Sequence, residues 1–136
     1  MKQNKKMDVK RKRGDIIWVD LGQHPRRHIQ SGRRPCLIVN TNKSRANVYT
    51  VMPGTCNEER DGFPVHVTVE PSHIIGGIRK RTIFMAEQLV TVDEEDVIYS
   101  AGKIDRNTDV MERINEALIR QLQLEITQNE GEQFNG

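Results

Sequence analysis

The chain has 136 residues, enough for one domain with a core of its own and too few for two ordinary ones. Charged residues make up 29% of it, yet the formal net charge is only +2, which excludes a bulk polycation of the histone kind. No apolar run approaches the ~20 residues that span a bilayer, and Ile16 to Val19 is the only apolar run near the basic start, so a cytoplasmic protein without anchor or secretory signal is expected.

The charge is unevenly placed. Residues 1–13 carry seven Lys or Arg against one Asp, and residues 125–136 carry three Glu and no base. Neither end holds enough apolar surface to offset the entropy of ordering it. The expected division is a flexible basic head over 1–12, a domain over 13–126 and a disordered acidic tail over 127–136. The head reads equally as a solubilising tail and as an electrostatic arm for nucleic acid. Cys36 and Cys56 show no CxxC spacing, so neither a metal site nor a disulfide framework follows, and Cys36 reads as a small core hydrophobe.

In chain order, Asp15 to Leu21 is a β-rich run between Gly14 and Gly22 and predicts a first strand. Gly22 to Gly32 is a polar loop of about ten residues, longer than the usual ~4–6 and therefore of functional interest. Pro35 to Asn40 is continuously apolar up to Val39, which predicts a strand buried on both faces, and Thr41 to Arg45 is turn material. Asn47 to Met52 resumes strand character and is expected to stop in a turn at Pro53-Gly54. Val65 to Glu70 alternates Val with His, Thr and Glu, the pattern of a half-buried antiparallel strand. Pro71 to Lys80 holds Gly76-Gly77 and ends basic. Thr82 to Ala86 and Gln88 to Val92 predict further strands, Asp93 to Asp96 one acidic helical turn, and Val97 to Ile104 a last strand broken by Gly102. Met111, Ile114, Leu118 and Leu122 then recur at helical spacing, with Asn107 or Thr108 as N-cap. Short strands followed by one amphipathic helix predict a mainly β fold with α: a small, curved antiparallel barrel closed by a C-terminal helix.

Four segments, in order, carry a resemblance: Arg13-Gly14-Asp15-Ile16-Ile17-Trp18-Val19-Asp20-Leu21, Gly32-Arg33-Arg34-Pro35 entering the buried strand, Pro53-Gly54-Thr55, and Met85-Ala86-Glu87-Gln88-Leu89. Over about residues 13–124, including Asn115-Glu116-Ala117-Leu118, the chain resembles the MazF/PemK toxin endoribonucleases. The resemblance implies an SH3-like barrel and a homodimer that cuts single-stranded RNA at a short sequence without a metal or other cofactor. It also implies an antitoxin partner whose extended segment fills the RNA groove. Catalytic roles carry over to Arg34 and Thr55. Many members have a Gly-Ser-Glu-Gln-like segment just before the arginine motif, whereas this chain reads His28-Ile29-Gln30-Ser31, with Ile29 at the Glu position.

The residue chemistry fits that implication. Metal-free RNA cleavage uses the ribose 2′-hydroxyl as nucleophile and gives a cyclic phosphate and a 5′-hydroxyl. Negative charge builds on the phosphoryl oxygens, where the planar fork of Arg34 can donate two charge-assisted hydrogen bonds and Thr55 a third. The structural readings are a salt bridge from Arg34 to Asp15, Asp20 or Glu87, and a turn role for Thr55. Arginine is a poor general base because its pKa exceeds ~12, so with Ile29 in place of Glu the base is unassigned; His28 or His24 is the candidate, and the structural reading of both is as solvent-exposed loop residues. Arg26, Arg27 and Gln30 offer donors to RNA, His66 stands beside Pro64, and Gln88 and Asn57 match family base contacts. Arg79-Lys80-Arg81 reads as a basic track or a solvated turn, and Trp18 as core or dimer interface. Two alternatives to a nuclease are a toxin that poisons a topoisomerase by protein contact and an inactive nucleic-acid-binding relative.

Overall fold

β-Branched and aromatic residues at alternating positions drive the first half of the chain into extended ribbons, and the ribbons wind into one curled antiparallel sheet. The structure, a computed structural model, describes residues 10–41 and 47–127. Its strands are β1 (Asp15–Asp20), β2 (Arg33–Ile38), β3 (Val48–Thr55), β4 (His66–Val69), β5 (Ile74–Gly76), β6 (Thr82–Met85), β7 (Val90–Asp93) and β8 (Val97–Ile104), followed by helix α1 (Val110–Leu122). The strand order is β4-β6-β3-β2-β1-β8-β5, with β7 paired to β3 as a branch. The expected curved antiparallel barrel closed by a C-terminal helix is the observed architecture.

The two faces of β2 explain its unbroken apolar sequence. Leu37 packs with Ile16, Met52, Phe84 and the helix residues Val110, Ile114 and Ala117. Cys36 and Ile38 pack on the opposite face with Ile17, Val19, Val51 and Val92. Burial pushes the Cys36 thiol up to about 12, with the nearby Arg34 charge opposing the shift. Across the rim of this second core, Arg11 grips Glu94 from Nε (3.0 Å) and Nη2 (3.1 Å), and the Tyr49 hydroxyl donates to the same carboxylate at 2.5 Å. Arg11 and Lys12, assigned above to a flexible head, are thus described parts of the domain, and Arg11 is anchored. The rest of the head as far as residue 9, and the tail from 128, lie outside the described residues.

Pro53-Gly54 does not end β3. The strand runs through both residues, pairing with β7 over Val48–Val51, with β2 over Val51–Pro53 and with β6 over Gly54–Thr55. Pro53 occupies the last rung with β2, opposite Cys36, where a missing N–H costs least. Gly54 faces Thr82 and Phe84 so closely that an added Cβ would lie 2.8 Å from Thr82 Cγ2 and 2.9 Å from Phe84 Cε1. Other corrections are local. β2 begins at Arg33, two residues early, so Arg34 is a strand residue. The run Ala86–Gln88 is a one-turn 3-10 helix, which delays β7 to Val90. β8 passes unbroken through Gly102, and that residue pairs with Gly76 of the unpredicted short strand β5. The acidic turn is present over Glu94–Asp96, with Asp93 in a capping box.

Helix α1 buries Val110, Ile114 and Ala117, with Met111 and Leu118 packed beside them. Leu122, expected in the stripe, is 48% exposed because it occupies the final turn, just before Gln123 closes the helix in a left-handed conformation. The N-cap position is Asp109, not Asn107 or Thr108, and its side chain caps nothing. The Thr108 hydroxyl accepts only a long 3.4 Å bond from Val110 N. Arg13 binds the Val39 carbonyl and Asn115, which ties the start of β1 to the helix.

Two measurements follow from these contacts. Gly54→Ala should lower stability by about 1–3 kcal/mol through overpacking, read as a lower urea midpoint with an unchanged m-value. The raised Cys36 thiol favours the protonated form in the fold, so its stabilisation is complete below the unfolded value near 9 and is lost as pH rises toward 12. Urea midpoints should therefore fall between pH 8 and pH 10.5, and less steeply in Cys36→Val.

Candidate active site

The loop between β1 and β2 is closed at its base by two glycines. Leu21 N donates to Gly32 O (2.9 Å) and Gly32 N to Gly22 O (2.8 Å), with both glycines at positive φ, 81° and 79°. Inside the loop a turn joins the His24 carbonyl to Arg27 N at 3.2 Å, which puts Pro25 and Arg26 at its centre. Arg26 takes φ 62°, a conformation that normally favours glycine. The loop is then pinned from outside by one side chain: Gln88 Oε1 accepts from Gln30 N (3.0 Å) and Gln88 Nε2 donates to His28 O (2.9 Å).

Arg34 leaves this loop on β2. Its Nε donates to the Ser31 carbonyl at 2.8 Å, which aims the guanidinium, and it makes no salt bridge with Asp15, Asp20 or Glu87. The structural reading of Arg34 as an ion-pair residue is therefore overturned. Arg34 lines a groove of about 450 Å³ together with Arg27, His28, Gln30, Arg60 and Glu87.

The far wall is built from short-range caps. Thr55 Oγ1 accepts from Asn57 N (3.1 Å), and Asn57 Oδ1 accepts from Glu59 N (3.0 Å), starting the one-turn helix Glu58–Arg60 that carries Arg60 to the groove. The Arg60 carbonyl lies 2.7 Å from His66 Nδ1, and His66 Nε2 lies 2.8 Å from Glu87 Oε2. Phe63 stacks on the imidazole at a 4.8 Å centroid distance. Because the carbonyl can only accept, Nδ1 donates to it. The contact with Glu87 then needs a second proton, carried by the ring or by the carboxyl. The His66 side chain is 1% exposed and that of Glu87 31%, and of the two only Glu87 lines the groove.

The residues expected from sequence divide accordingly. Arg34, His28, Arg27, Gln30 and Gln88 meet in one groove. Gln88 has both amide ends occupied by loop backbone and acts as a clamp rather than a free donor to bases. His66 is buried behind Glu87, and Asn57 is a helix cap. Arg26 is exposed outside the groove, as is Pro64, whose carbonyl accepts from Arg120 at 3.5 Å. His24 turns inward, its Nε2 3.1 Å from the Leu21 carbonyl. Thr55 does not line the groove: the β2–β3 ladder ends at Cys36 and Pro53, and Thr55 pairs instead with Ile83 of β6. Its hydroxyl proton stays available as a donor while Oγ1 accepts from Asn57. Sequence reasoning missed Arg60 and the role of Glu87. Glu87 stood in the Met85–Leu89 segment but was weighed only as a partner for Arg34. Among the described residues no group of three or more His, Cys, Asp or Glu could hold a metal ion, and no helix is long and apolar enough to cross a membrane.

The sequence model of PemK-like, MazF-like toxins of type II toxin–antitoxin systems matches residues 12–122. The chain belongs to this family. No curated protein matches it significantly. Among solved structures it is similar to MazF from Deinococcus radiodurans, with a TM-score of 0.69, 19% identity, and coverage of 86% of this chain and 100% of that one. An endoribonuclease in complex with its cognate antitoxin, from a mycobacterial species, gives 0.66 and 23% over 86% of this chain and 99% of that one. A MazE–MazF complex from D. radiodurans gives 0.64 and 19% over 87% and 100%.

The clamp role of Gln88 is open to test. Gln88→Ala should cost about 1–2 kcal/mol for its two hydrogen bonds, speed hydrogen exchange at the Gln30 amide, and hasten tryptic cleavage at Arg26 and Arg27. Unchanged exchange at Gln30 would remove the clamp.

Proposed function

We propose that this MazF/PemK family member is a toxin that cuts single-stranded RNA, mRNA included, in a sequence-selective manner and without a metal. The observation that carries the reading is Arg34, aimed by the Ser31 carbonyl and without a carboxylate partner among the described residues, in a groove that Glu87 also lines. A guanidinium spent on no ion pair in the fold is available to a phosphate. Three cationic side chains against one carboxyl make the groove a match for a polyanion.

In this reading the 2′-hydroxyl loses its proton to Glu87 Oε1, the oxygen not engaged by His66. The 2′-oxygen bonds to phosphorus, and the bond from phosphorus to the 5′-oxygen breaks. The leaving oxygen takes a proton from water in the open groove, giving 2′,3′-cyclic phosphate and 5′-hydroxyl ends. Arg34 donates to the equatorial oxygens as charge develops on them, and the Thr55 hydroxyl adds a further donor. His28 lines the groove as the alternative proton acceptor. The described structure leaves its ring without a hydrogen-bond partner, whereas Glu87 is held in place. The partners proposed are a cognate antitoxin, supported by the antitoxin-bound neighbours, and a second copy of the chain.

The test is incubation of the purified chain with a long single-stranded RNA in EDTA, with mapping of the ends formed. Discrete cuts bearing 5′-hydroxyl ends are expected. Arg34→Ala should slow cleavage by about 100-fold or more, as should Glu87→Gln, while His28→Ala keeps the wild-type pH profile. RNA left intact by folded protein would defeat the nuclease reading. A fully active Glu87→Gln would return the base to His28.

A further inference from the structure

On the other side of the β2 end lies a second recess, of about 360 Å³, that the reaction above does not use. Successive strand residues point to opposite faces, so where Arg34 lines the groove, Pro35 lines this recess, and Cys56 lines it one residue beyond Thr55. The two cavities therefore meet β2 at neighbouring residues, Arg34 and Pro35.

The recess has an aromatic floor and a cationic rim. Trp18 and Tyr99 are cross-strand partners between β1 and β8, and their rings lie parallel within 4° at a centroid distance of 5.8 Å. Tyr99 is 52% exposed, an unusual position for a large aromatic unless it has something to cover it. Arg79 and Lys80 line the recess and no acidic residue does. The neighbouring Arg81 differs sharply. It is tied to Glu70 at 2.9 Å, Glu58 at 3.2 Å and Asp61 at 3.9 Å, whereas Arg79 and Lys80 form no ion pair among the described residues. The run Arg79-Lys80-Arg81 is thus neither wholly a solvated turn nor wholly a basic track: one member braces the fold and two are left for a ligand.

We infer that this recess is a second nucleotide subsite, in which a base of single-stranded RNA stacks on Tyr99 and the adjoining phosphate is held by Arg79 and Lys80. The inference rests on the proposed nuclease function and extends it. A strand whose scissile phosphate lies at Arg34 reaches this recess by passing around the end of β2, where Arg34 and Pro35 are neighbours. Stacking suits the site because the Tyr99 ring is already immobilised against Trp18, so little side-chain freedom is lost when a base covers it. A flat π-surface accepts any base, which makes this subsite a source of grip, and leaves sequence choice to the groove and its loop.

The test uses the full chain and a short single-stranded RNA pool of random sequence, 2′-O-methylated throughout so that no nucleophile is present. Its anisotropy is followed over a salt series. Wild type should bind with quenching of Trp18 emission. Tyr99→Leu should weaken binding by about tenfold or more with the salt slope unchanged. The double variant Arg79→Ser, Lys80→Ser should lower the slope of log affinity against log salt by about 1.4. Variants that bind and respond to salt like wild type, while wild type still cuts RNA in EDTA, would overturn the subsite alone. A Tyr99→Leu chain that changes from dimer to monomer in sedimentation, with its RNA affinity intact, would also overturn it by assigning the face to a second copy. Wild type that neither binds nor cuts RNA would overturn the subsite and the nuclease together.

Discussion

Everything in this molecule is arranged around the close approach of Gly54 to Phe84. At that point β3 abandons β2 and joins β6, and only a residue without a side chain lets the two backbones meet over the buried ring. The crossing bends a flat ribbon into a curled sheet, so that apolar residues on both faces of β2 find separate cores. It also opens a fork. Arg34 on β2, still paired with Val19 of β1, and Thr55 on β3, now paired with Ile83 of β6, stand just beyond the rung at which the two strands part. The candidate chemistry thus sits where the sheet topology leaves a gap.

The distribution of charge partners sorts the basic residues more clearly than their position in sequence does. Arg11 is bound to Glu94, Arg13 to Val39 and Asn115, Arg81 to three carboxylates, and Arg113 to Asp109 and the Thr68 carbonyl. These four brace the fold. Arg27, Arg34 and Arg60 collect in the groove, and Arg79 and Lys80 in the adjoining recess. A nearly neutral chain can therefore present a cationic track, because Glu58, Glu70 and Glu94 are engaged by bracing arginines, while Glu87 is the one acidic residue that lines the groove and none lines the recess.

Elements governed by local rules were legible in the sequence. The alternation of Val65 to Glu70, the two-faced apolar run of β2, the acidic turn after Asp93 and the helical stripe from Met111 as far as Leu118 appear as expected, since each is fixed by burial or capping within a few residues. What misled was Pro53-Gly54, a turn signal that here serves a change of strand partner. That role depends on Phe84, thirty residues downstream, and no local rule contains it. The site divides the same way. Arg34 was marked by its position at a buried strand, whereas Gln88 and His66 looked like free polar donors because the backbone groups and the carboxylate that occupy them come from distant segments.

The absence of Glu at position 29 illustrates why a motif should be judged by the space it fills. A proton acceptor has to be near the nucleophile, but the chain need not supply it from the loop before the arginine. Glu87 comes from the turn between β6 and β7, and the same turn carries Gln88, which holds the loop containing Ile29 in place. One 3-10 turn therefore both presents a carboxyl and fixes the loop that lacks one. His66, wedged between the Arg60 carbonyl and Glu87, engages one oxygen of that carboxyl, and Glu87 lines the groove. Replacing Ile29 with Glu would add a second carboxylate to a groove whose cations already face one, weakening its hold on phosphate by repulsion. In the proposed reaction the neighbouring turn supplies the carboxyl that the loop lacks.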